Sequence, residues 1–257
     1  MIEVAIEAAK KGADILLGYF ETELEHEIKD DKSFVTKADR ESEAAILKVL
    51  TARFPDHAFL AEETGESENK SPYTWVIDPL DGTANFVNGL PLWAISIALV
   101  KENEVIGAVV YNPLINLLVH AERGQGLWCN GARSRVSTQG KDAAMITVGV
   151  GRGPEIKEKL AALFRESPKR LKTYRYVGSA ALELAILARG GTEGFVSLGN
   201  SKWDYAAGAL LVQEGGGKIT DLHGNPWQFE ENYFIASNGV IHADLIEVVC
   251  AAGIAPA

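Results

Sequence analysis

One short stretch, WVIDPLDGTANFVNG at residues 75–89, restricts the possible folds more than any other part of the chain. An apolar run is interrupted there at Asp78, and Pro79, a second carboxylate at Asp81, a glycine and a threonine follow. Aspartate is unfavourable inside strands, and proline cannot donate a hydrogen bond to a sheet. The stretch therefore predicts the end of a strand followed directly by a helix start, with two carboxylates held at the junction.

The composition is that of an ordinary globular protein. The 257 residues are 47% hydrophobic, enough for one large domain or two smaller ones that share an interface. A net charge of −10 argues against nucleic acid or a membrane surface as the main partner. Cys129 and Cys250 are far apart, which indicates free thiols in a reducing compartment. With neither a signal-peptide pattern nor a membrane-length apolar run, we expect a cytoplasmic protein.

The chain begins with helical patterns. Apolar residues at three- and four-residue steps predict helices near residues 2–20 and 39–53. The second helix is expected to expose Glu43 and to bury Ala44, among others. The polar segment between the two helices, residues 25–39, predicts a hairpin or a mobile loop.

The rest of the chain predicts an α/β protein of the layered α+β kind. Short buried strands are expected at residues 58–61 and 75–77, and a run of strands broken by turn residues through 93–131 predicts an antiparallel meander. The polar stretch STQGKD is the best boundary, which gives an N-terminal half (1–140) and a C-terminal half (141–257). Strands and helices alternate in the second half, which predicts a mixed sheet covered by helices.

Acidic residues recur at the ends of these predicted elements. Glu62 and Glu63 follow one strand, Asp78 and Asp81 follow the next, and Asp204 opens a helix. Each has a structural explanation when taken alone, because aspartate is a favoured N-cap and paired glutamates are common in solvated turns. However, strand ends and helix starts tend to converge on one crevice in layered α/β proteins. We therefore expect these carboxylates to meet.

Carboxylates that meet without a lysine or arginine beside them repel one another, so the pattern predicts a bound cation. The five histidines form no ligand pair, and an oxygen-only donor set favours a hard ion, Mg²⁺ first and Mn²⁺ or Ca²⁺ after it. One aspartate that bridges two such ions is an arrangement used in phosphoryl hydrolysis. The amides of Gly82 and Thr83, at a predicted helix start, would suit a phosphate group.

Three segments resemble the signatures of one family. AEETG (61–65), WVIDPLDGTANFVNGLP (75–91) and WDYAAGALLVQEGGG (203–217) are similar, in order and separation, to those of the inositol monophosphatase family of Mg²⁺-dependent, lithium-sensitive phosphatases. VTKAD (35–39) and VGSAA (177–181) match two weaker family segments. The resemblance covers nearly the whole chain. It implies an α/β/α/β/α sandwich, a homodimer, and a small phosphate monoester as substrate.

The resemblance also implies two to three bound metal ions. Glu62, Asp78 and the backbone carbonyl of Leu80 would hold the first. Asp78, Asp81 and Asp204 would hold the second, and Glu62 would help to place a third, looser ion through water. Ca²⁺ or Li⁺ would inhibit such a site.

Catalysis in the resembling family implies a metal-activated water and no phosphoenzyme. Thr83 and Asp39 would orient the water and accept its proton, and the amides of Gly82 and Thr83 would bind the phosphate. The residues alone predict that Asp39 is the N-cap of the second helix, so the capping role and the catalytic role both remain open for it. The loop EIKDDKS (27–33) matches a family loop that closes over the metals, although a solvated charge run explains its residues equally well.

Substrate contacts are predicted at further positions. The family carries an acidic residue seven places before the aspartate of the last signature, and this chain has the shorter, uncharged Ser197, so a preference for myo-inositol is not expected. Lys202 would face a second anionic group of the substrate or be an ordinary surface lysine. Gly178, Ser179 and Ala180 are further predicted contacts, which a simple helix start explains as well. The metal ligands Asp81 and Asp204 are also predicted to contact the substrate.

Three alternatives stay open. Within the family, the substrate could be histidinol phosphate, fructose 1,6-bisphosphate or a 3′-phosphoadenosine nucleotide. Haloacid-dehalogenase enzymes use D-x-D-G-T, and the D-P-L-D-G-T of this chain is one residue longer, which would move the first carboxylate away from the second. The third alternative is a non-catalytic interaction protein on the same fold, as in bacterial relatives that act in transcription. The complete set of acidic ligands favours an enzyme.

Overall fold

The computed structural model describes residues 1–22, 26–28 and 34–254, with the backbone alone at 26–28 and 34. Within these residues the helices are α1 (Ile2–Tyr19), α2 (Lys37–Arg53), α3 (Thr83–Val87), α4 (Pro154–Glu166), α5 (Ala180–Ala188), α6 (Lys202–Glu214) and α7 (His242–Ala251), with a 3₁₀ turn at Ser167–Lys169. None of these helices has the length and apolarity needed to cross a membrane.

The described strands follow in chain order. They are β1 (His26–Ile28), β2 (Phe34–Thr36), β3 (Ala58–Ala61), β4 (Gly65–Glu66), β5 (Tyr73–Asp81), β6 (Ala94–Lys101), β7 (Glu104–Asn112), β8 (Leu117–Glu122), β9 (Leu127–Cys129), β10 (Ala132–Ser134), β11 (Met145–Val150), β12 (Thr173–Arg175), β13 (Gly194–Leu198), β14 (Lys218–Asp221) and β15 (Tyr233–Ser237). β1 and β2 pair antiparallel, as a hairpin would. The loop predicted to close over the metals lies mostly outside the described residues.

Eight strands form the larger sheet, in the order β10-β9-β8-β7-β6-β5-β3-β4. All neighbours from β5 to β10 are antiparallel, so the predicted meander is confirmed, whereas β3 runs parallel to β5. Because side chains alternate between the faces of a strand, the cross-strand partners Ile77 and Ile97 face one side. The partners Val76 and Ala98 face the other. Both faces are apolar, so the sheet is covered on both sides.

The smaller sheet is mixed, as predicted, and has the order β12-β11-β13-β15-β14. β11 is parallel to β12 and β13, and β15 is antiparallel to β13 and β14. The chain passes from the larger to the smaller sheet between Ser134 and Met145, the region of STQGKD. The division into 1–140 and 141–257 stays a prediction, because α5 and α6 from the second half pack in one cluster with residues of both sheets.

The elements stack in five layers, which confirms the α/β/α/β/α sandwich. α1 and α2 cover one face of the larger sheet, and α5 and α6 lie between the two sheets. α4 and α7 cover the outer face of the smaller sheet. The central helices approach so closely that a Cβ at Gly208 of α6 would lie 2.4 Å from the Cβ of Leu184 in α5. Glycine is therefore required at this crossing.

The inner face of α2 differs from the prediction. Glu43 is 1% exposed and Ala44 is exposed, the reverse of what the apolar pattern indicated. The carboxylate of Glu43 accepts the backbone N–H groups of Glu63 and Thr64, each at 2.9 Å. A buried carboxylate is stabilised when hydrogen bonds replace its hydration. α2 therefore turns this charged residue inward to hold the turn that follows β3.

The strand of the opening motif continues beyond Asp78, contrary to the prediction that it ends there. β5 continues to Asp81, with a bulge in its pairing to β6 between these two aspartates. β3 pairs with β5 only as far as Ile77, so Pro79 lies where one edge of β5 is open. Proline is tolerated at such an edge because no ladder hydrogen bond is required of it. The bulge explains how two aspartates three residues apart are both presented near one site.

Candidate functional site

A cavity of about 560 Å³ opens where the end of β5 meets the starts of three helices. Its lining includes Thr83 at the start of α3, Ala180 at the start of α5 and Asp204 in the first turn of α6. Strand ends and helix starts thus converge here, as the pattern of acidic residues predicted. The volume is within the range of small-molecule sites.

Three carboxylates come together in this cavity. Asp78, Asp81 and Asp204 each offer one oxygen, and these oxygens all lie within 4.8 Å of one another. Asp78 is 1% exposed and Asp81 is 9% exposed. Such a group of oxygens could hold a metal ion, and its hard donors are those that Mg²⁺, Mn²⁺ and Ca²⁺ prefer.

Burial raises the pKa of every member of this cluster. Burial raises the pKa of Asp78 and Asp81 well above the usual value, and the charges of the neighbouring carboxylates raise it further. Burial raises the pKa of Asp204 to about 6, against the lowering effects of the Ser201 N–H and the Arg152 charge. Ionising all three without a cation is therefore costly, and a bound divalent cation would remove that cost.

Asp81 does not cap the helix that follows it, contrary to one of the two predictions for this residue. The N-cap of α3 is Gly82, which has a φ of 97°. One oxygen of Asp81, Oδ2, accepts the hydroxyl of Ser179 and the N–H of Ala181, both at 2.7 Å. Asp81 therefore caps α5, a helix that lies 100 residues further along the chain.

Asp39 and Asp204 are not N-caps either; each is the third residue of its helix. Asp204 Oδ2 accepts the N–H of Ser201 at 2.7 Å, and Asp39 Oδ2 accepts the N–H of Thr36 at 2.8 Å. Both are the acidic half of a capping box. The sequence indicated a cap at the right helix ends but assigned it to the wrong position. Oδ1 of Asp39 accepts the hydroxyl of Thr83 at 3.1 Å.

Asp39 lies behind the cavity rather than in its lining. It is fully buried, and burial raises its pKa while the two hydrogen bonds from Thr36 act in the opposite direction. Thr83 lies between Asp39 and the cavity, and its hydroxyl is also 3.2 Å from the carbonyl oxygen of Leu80. The Thr83 hydroxyl thus links Asp39 to the cavity.

Glu62 lines the same cavity but lies outside the group of three. One carboxylate oxygen is 3.9 Å from the guanidinium of Arg152, and the side chain is 9% exposed. The expectation that no basic residue stands beside the carboxylates is therefore wrong at this position. Leu80, whose carbonyl was predicted as a metal ligand, also lines the cavity, and its N–H donates to Asp78 Oδ1 at 2.9 Å.

The predicted substrate-binding residues divide into two sets. Ser197 and Lys202 lie outside the cavity lining. The Ser197 hydroxyl donates to the carbonyl of Asn232 at 2.7 Å and accepts from Asn200 at 2.9 Å, so it could act on a ligand only through Asn200, which does line the cavity. The amine of Lys202 lies 2.5 Å from Glu230 rather than facing the cavity. The predicted residues that do line it are Asp81, Gly82, Thr83, Gly178, Ser179, Ala180 and Asp204.

Sequence reasoning missed several residues of this region. Arg152 follows the end of β11, and the rule that located the aspartates at strand ends would have located it too. Tyr176 also lines the cavity, but no sequence pattern indicated it. Glu183 lies behind the cavity wall and is fully buried. Its signal was present in the sequence, since it is the one charged residue in the apolar segment AALELAILA of α5.

The fold and the cluster define a class of protein: a five-layer α/β sandwich whose central layers bring buried carboxylates together at strand ends and helix starts. The family model described as the inositol monophosphatase family matches residues 1–253. The chain therefore belongs to the inositol monophosphatase family.

Individual relatives carry two kinds of name. The chain is 35% identical to the inositol-1-monophosphatase of Mesorhizobium japonicum over 258 residues, covering 97% of this chain and 96% of that protein. It is 37% identical to the Nus factor SuhB of Escherichia coli K12 over 246 residues, covering 93% and 89%. Among solved structures, the extragenic suppressor protein suhB of Bartonella henselae matches with a TM-score of 0.91 and 34% identity, covering 96% of this chain and 97% of that one.

Proposed function

We propose that this protein is a divalent-metal-dependent phosphatase that hydrolyses the phosphate monoester of a small metabolite. The observation that carries the proposal is the meeting of Asp78, Asp81 and Asp204 within 4.8 Å in a cavity large enough for a small phosphorylated molecule. Membership of the inositol monophosphatase family supports the same reaction class.

The donor set fits Mg²⁺, with Mn²⁺ as the alternative. The three described aspartates offer only oxygen donors. Burial raises the pKa of all three, and the charges of neighbouring carboxylates raise those of Asp78 and Asp81 further, so a divalent ion would relieve the cost of ionising them. Asp78, Asp81 and Asp204 would hold one ion, and Asp78, Glu62 and the Leu80 carbonyl another. Glu62 would also help to place a third. Ca²⁺ and Li⁺ are expected to inhibit.

The remaining residues act on the substrate and on a proton. The bound ion supplies positive charge that favours ionisation of water and stabilises the leaving oxygen. The amides of Gly82 and Thr83 are assigned to the phosphate. The Thr83 hydroxyl, which bonds to Asp39 Oδ1, orients the attacking water, and the buried Asp39 accepts the proton through it. A base whose pKa is raised toward neutrality suits this task.

The proposal is tested with a panel of phosphate esters. The metal-stripped protein is assayed for phosphate release from inositol 1-phosphate, fructose 1,6-bisphosphate, histidinol phosphate and a 3′-phosphoadenosine nucleotide, with Mg²⁺, with Mn²⁺ and with chelator. We expect metal-dependent release. With Ser197 in place of an acidic residue, we expect no strong preference for inositol 1-phosphate. Release that chelator leaves unchanged, or no metal-stimulated release from any ester, would contradict the proposal. A strong inositol preference would contradict only the interpretation of Ser197.

A second candidate function is a non-catalytic interaction protein, favoured by the 37% identity to a protein named as a Nus factor. The retention of all the predicted acidic ligands weighs against it. The panel separates the two candidates, because an interaction protein would bind metal without turnover of any ester. A homodimer and a cytoplasmic location are also part of the proposal.

A further inference from the structure

Glu183 is a buried carboxyl group in an otherwise apolar helix. Eight of the nine residues of α5 are buried, and Glu183 is 0% exposed. Moving a carboxyl group from water into such an apolar environment is energetically costly unless hydrogen bonds replace its hydration. Oε1 accepts the N–H of Val177 at 2.8 Å, while Oε2 has no hydrogen-bond partner among the described residues. The buried carboxyl group is thus turned towards the backbone N–H groups of Val177 and Gly178, which lower the pKa that burial raises.

The backbone that Glu183 binds forms part of the cavity wall. Tyr176, Gly178 and Ser179 line the cavity, and Val177 lies between them. The backbone of Val177 is held on both sides of its Cα, because its carbonyl oxygen also accepts the side-chain amide of Asn85 at 2.9 Å. This segment is therefore fixed to α5 by Glu183 and to α3 by Asn85.

The same segment delivers the hydrogen bonds that hold Asp81. Ser179 is the N-cap of α5, yet its side chain makes no cap bond within its own helix. Its hydroxyl and the N–H of Ala181 instead donate to Asp81 Oδ2. Glu183 thus reaches Asp81 through a short chain of contacts, by way of residues 177–179. The two carboxyl groups also lie close enough for the Asp81 charge to raise the pKa of Glu183, which burial already raises well above the usual value.

We propose that Glu183 is a positioning residue for the metal site: its bond to the Val177 N–H fixes the segment whose Ser179 hydroxyl and helix start hold Asp81 in the orientation that the cation requires. This inference rests on the proposed metal site. The proposed role requires a side chain long enough to bind the Val177 N–H, and it does not require that side chain to be charged. Residues that orient metal ligands commonly change metal affinity by about 10–100-fold when they are replaced.

Two substitutions of Glu183 separate the effect of side-chain length from the effect of side-chain charge. Glu183→Asp keeps the carboxyl group but is one methylene shorter, so it should lose the bond to Val177. Glu183→Gln keeps the length and an acceptor oxygen but loses the charge. Glu193→Asp is the matched control, because Glu193 is also a buried glutamate, 6% exposed, whose carboxylate accepts a backbone N–H, that of Met145, at 2.7 Å. Glu193 lies outside the cavity lining.

The readout is Mn²⁺ binding to the metal-stripped full chain by titration calorimetry, with the melting temperature measured in parallel. We expect Glu183→Asp to weaken Mn²⁺ binding by about tenfold or more. Glu183→Gln should stay within about threefold of the unmodified protein, and Glu193→Asp should keep its affinity even if its melting temperature falls.

Three results would overturn the proposal. The first is an unchanged Mn²⁺ affinity in Glu183→Asp. The second and third are a loss of Mn²⁺ affinity in Glu183→Gln, or in Glu193→Asp, as large as the loss in Glu183→Asp. Failure of the unmodified protein to bind Mn²⁺ would instead overturn the metal site itself, and this proposal with it. Because binding is measured without substrate, the result does not depend on whether any ester is hydrolysed.

Discussion

Asp39, Asp81 and Asp204 each use one carboxylate oxygen to accept a hydrogen bond from a backbone N–H group. Oδ2 accepts an N–H group in all three: from Thr36 for Asp39, from Ala181 for Asp81 and from Ser201 for Asp204. A carboxylate fixed through one oxygen presents the other in a defined direction, which is the preorganisation that a metal or proton-transfer site requires. The capping and the catalytic interpretations of these residues are therefore compatible.

Replacement of Thr83 tests the proton path at the residue scale. Thr83→Val keeps the shape of the side chain but removes the hydroxyl that bonds to Asp39. Because a positioned proton acceptor contributes about 10²–10⁴ in rate, we expect kcat for the best ester to fall by about that factor with little change in melting temperature. The control is Thr51→Val, which removes a hydroxyl bonded to a helix carbonyl on the exposed part of α2. Near-normal kcat in Thr83→Val would contradict the role given to this hydroxyl.

At the scale of elements, apolar periodicity predicted most helices and strands because each buries one face or both. It failed where a polar group was buried for a reason outside its own element. α2 buries Glu43 because the turn after β3 supplies two N–H groups, and β5 continues past Asp78 because a bulge and an open edge accommodate Pro79. Such partners lie far away in sequence, so a local pattern cannot indicate them.

The start of α7 makes the stability depend on pH. His242 is 3% exposed, and its ring nitrogens lie 2.9 Å from the Thr220 hydroxyl and 2.8 Å from the Ser237 hydroxyl. Burial, helped by the charge of Lys218, lowers the pKa of His242 to about 4. Below its unfolded pKa of about 6.5, the unfolded chain binds a proton that the folded chain does not. This residue therefore makes the protein less stable as the pH falls from about 6.5 towards 4, by at most about 3 kcal/mol.

Denaturant unfolding between pH 7.5 and 5 measures this effect. The loss of unfolding free energy over that interval should be smaller in His242→Gln than in the unmodified protein. His223→Gln, which replaces an exposed histidine, is the matched control and should keep the full loss. An identical pH dependence in His242→Gln and the unmodified protein would show that this histidine does not titrate on unfolding.

At the scale of the whole molecule, the site exists because the layers are joined at one point. Asp78 pairs with Ser96 across the larger sheet, and the Ser96 hydroxyl donates to the carbonyl of Trp203, the neighbour of Asp204, at 3.0 Å. On the other face, Ser42 of α2 donates to the Pro79 carbonyl at 3.2 Å. Sequence motifs predicted that Asp78, Asp81 and Asp204 would meet, whereas Glu62 lies outside this group of three and Glu63 lies outside the cavity lining. Arg152 and Glu183 were missed although each had a local signal, a strand end for Arg152 and a lone charge in an apolar helix for Glu183. What no local pattern indicates is that the packing of the layers brings both residues to this site.

The central claim is that Asp78, Asp81 and Asp204 share divalent ions. Asp78→Asn keeps the size of the side chain and removes one of three buried like charges, so the metal-free variant should melt at a higher temperature than the unmodified protein. It should also lose phosphatase activity by about three orders of magnitude or more, because a metal ligand is removed. Asp142→Asn, at an exposed position outside the cavity lining, is the control.

The most direct measurement is the number of Mn²⁺ ions bound, followed by the electron paramagnetic resonance signal of free Mn²⁺ during titration of the metal-stripped protein. We predict that the unmodified protein and Asp142→Asn bind at least two ions and that Asp78→Asn loses at least one of them. Equal numbers of ions bound with equal affinity in Asp78→Asn and the unmodified protein would contradict the account.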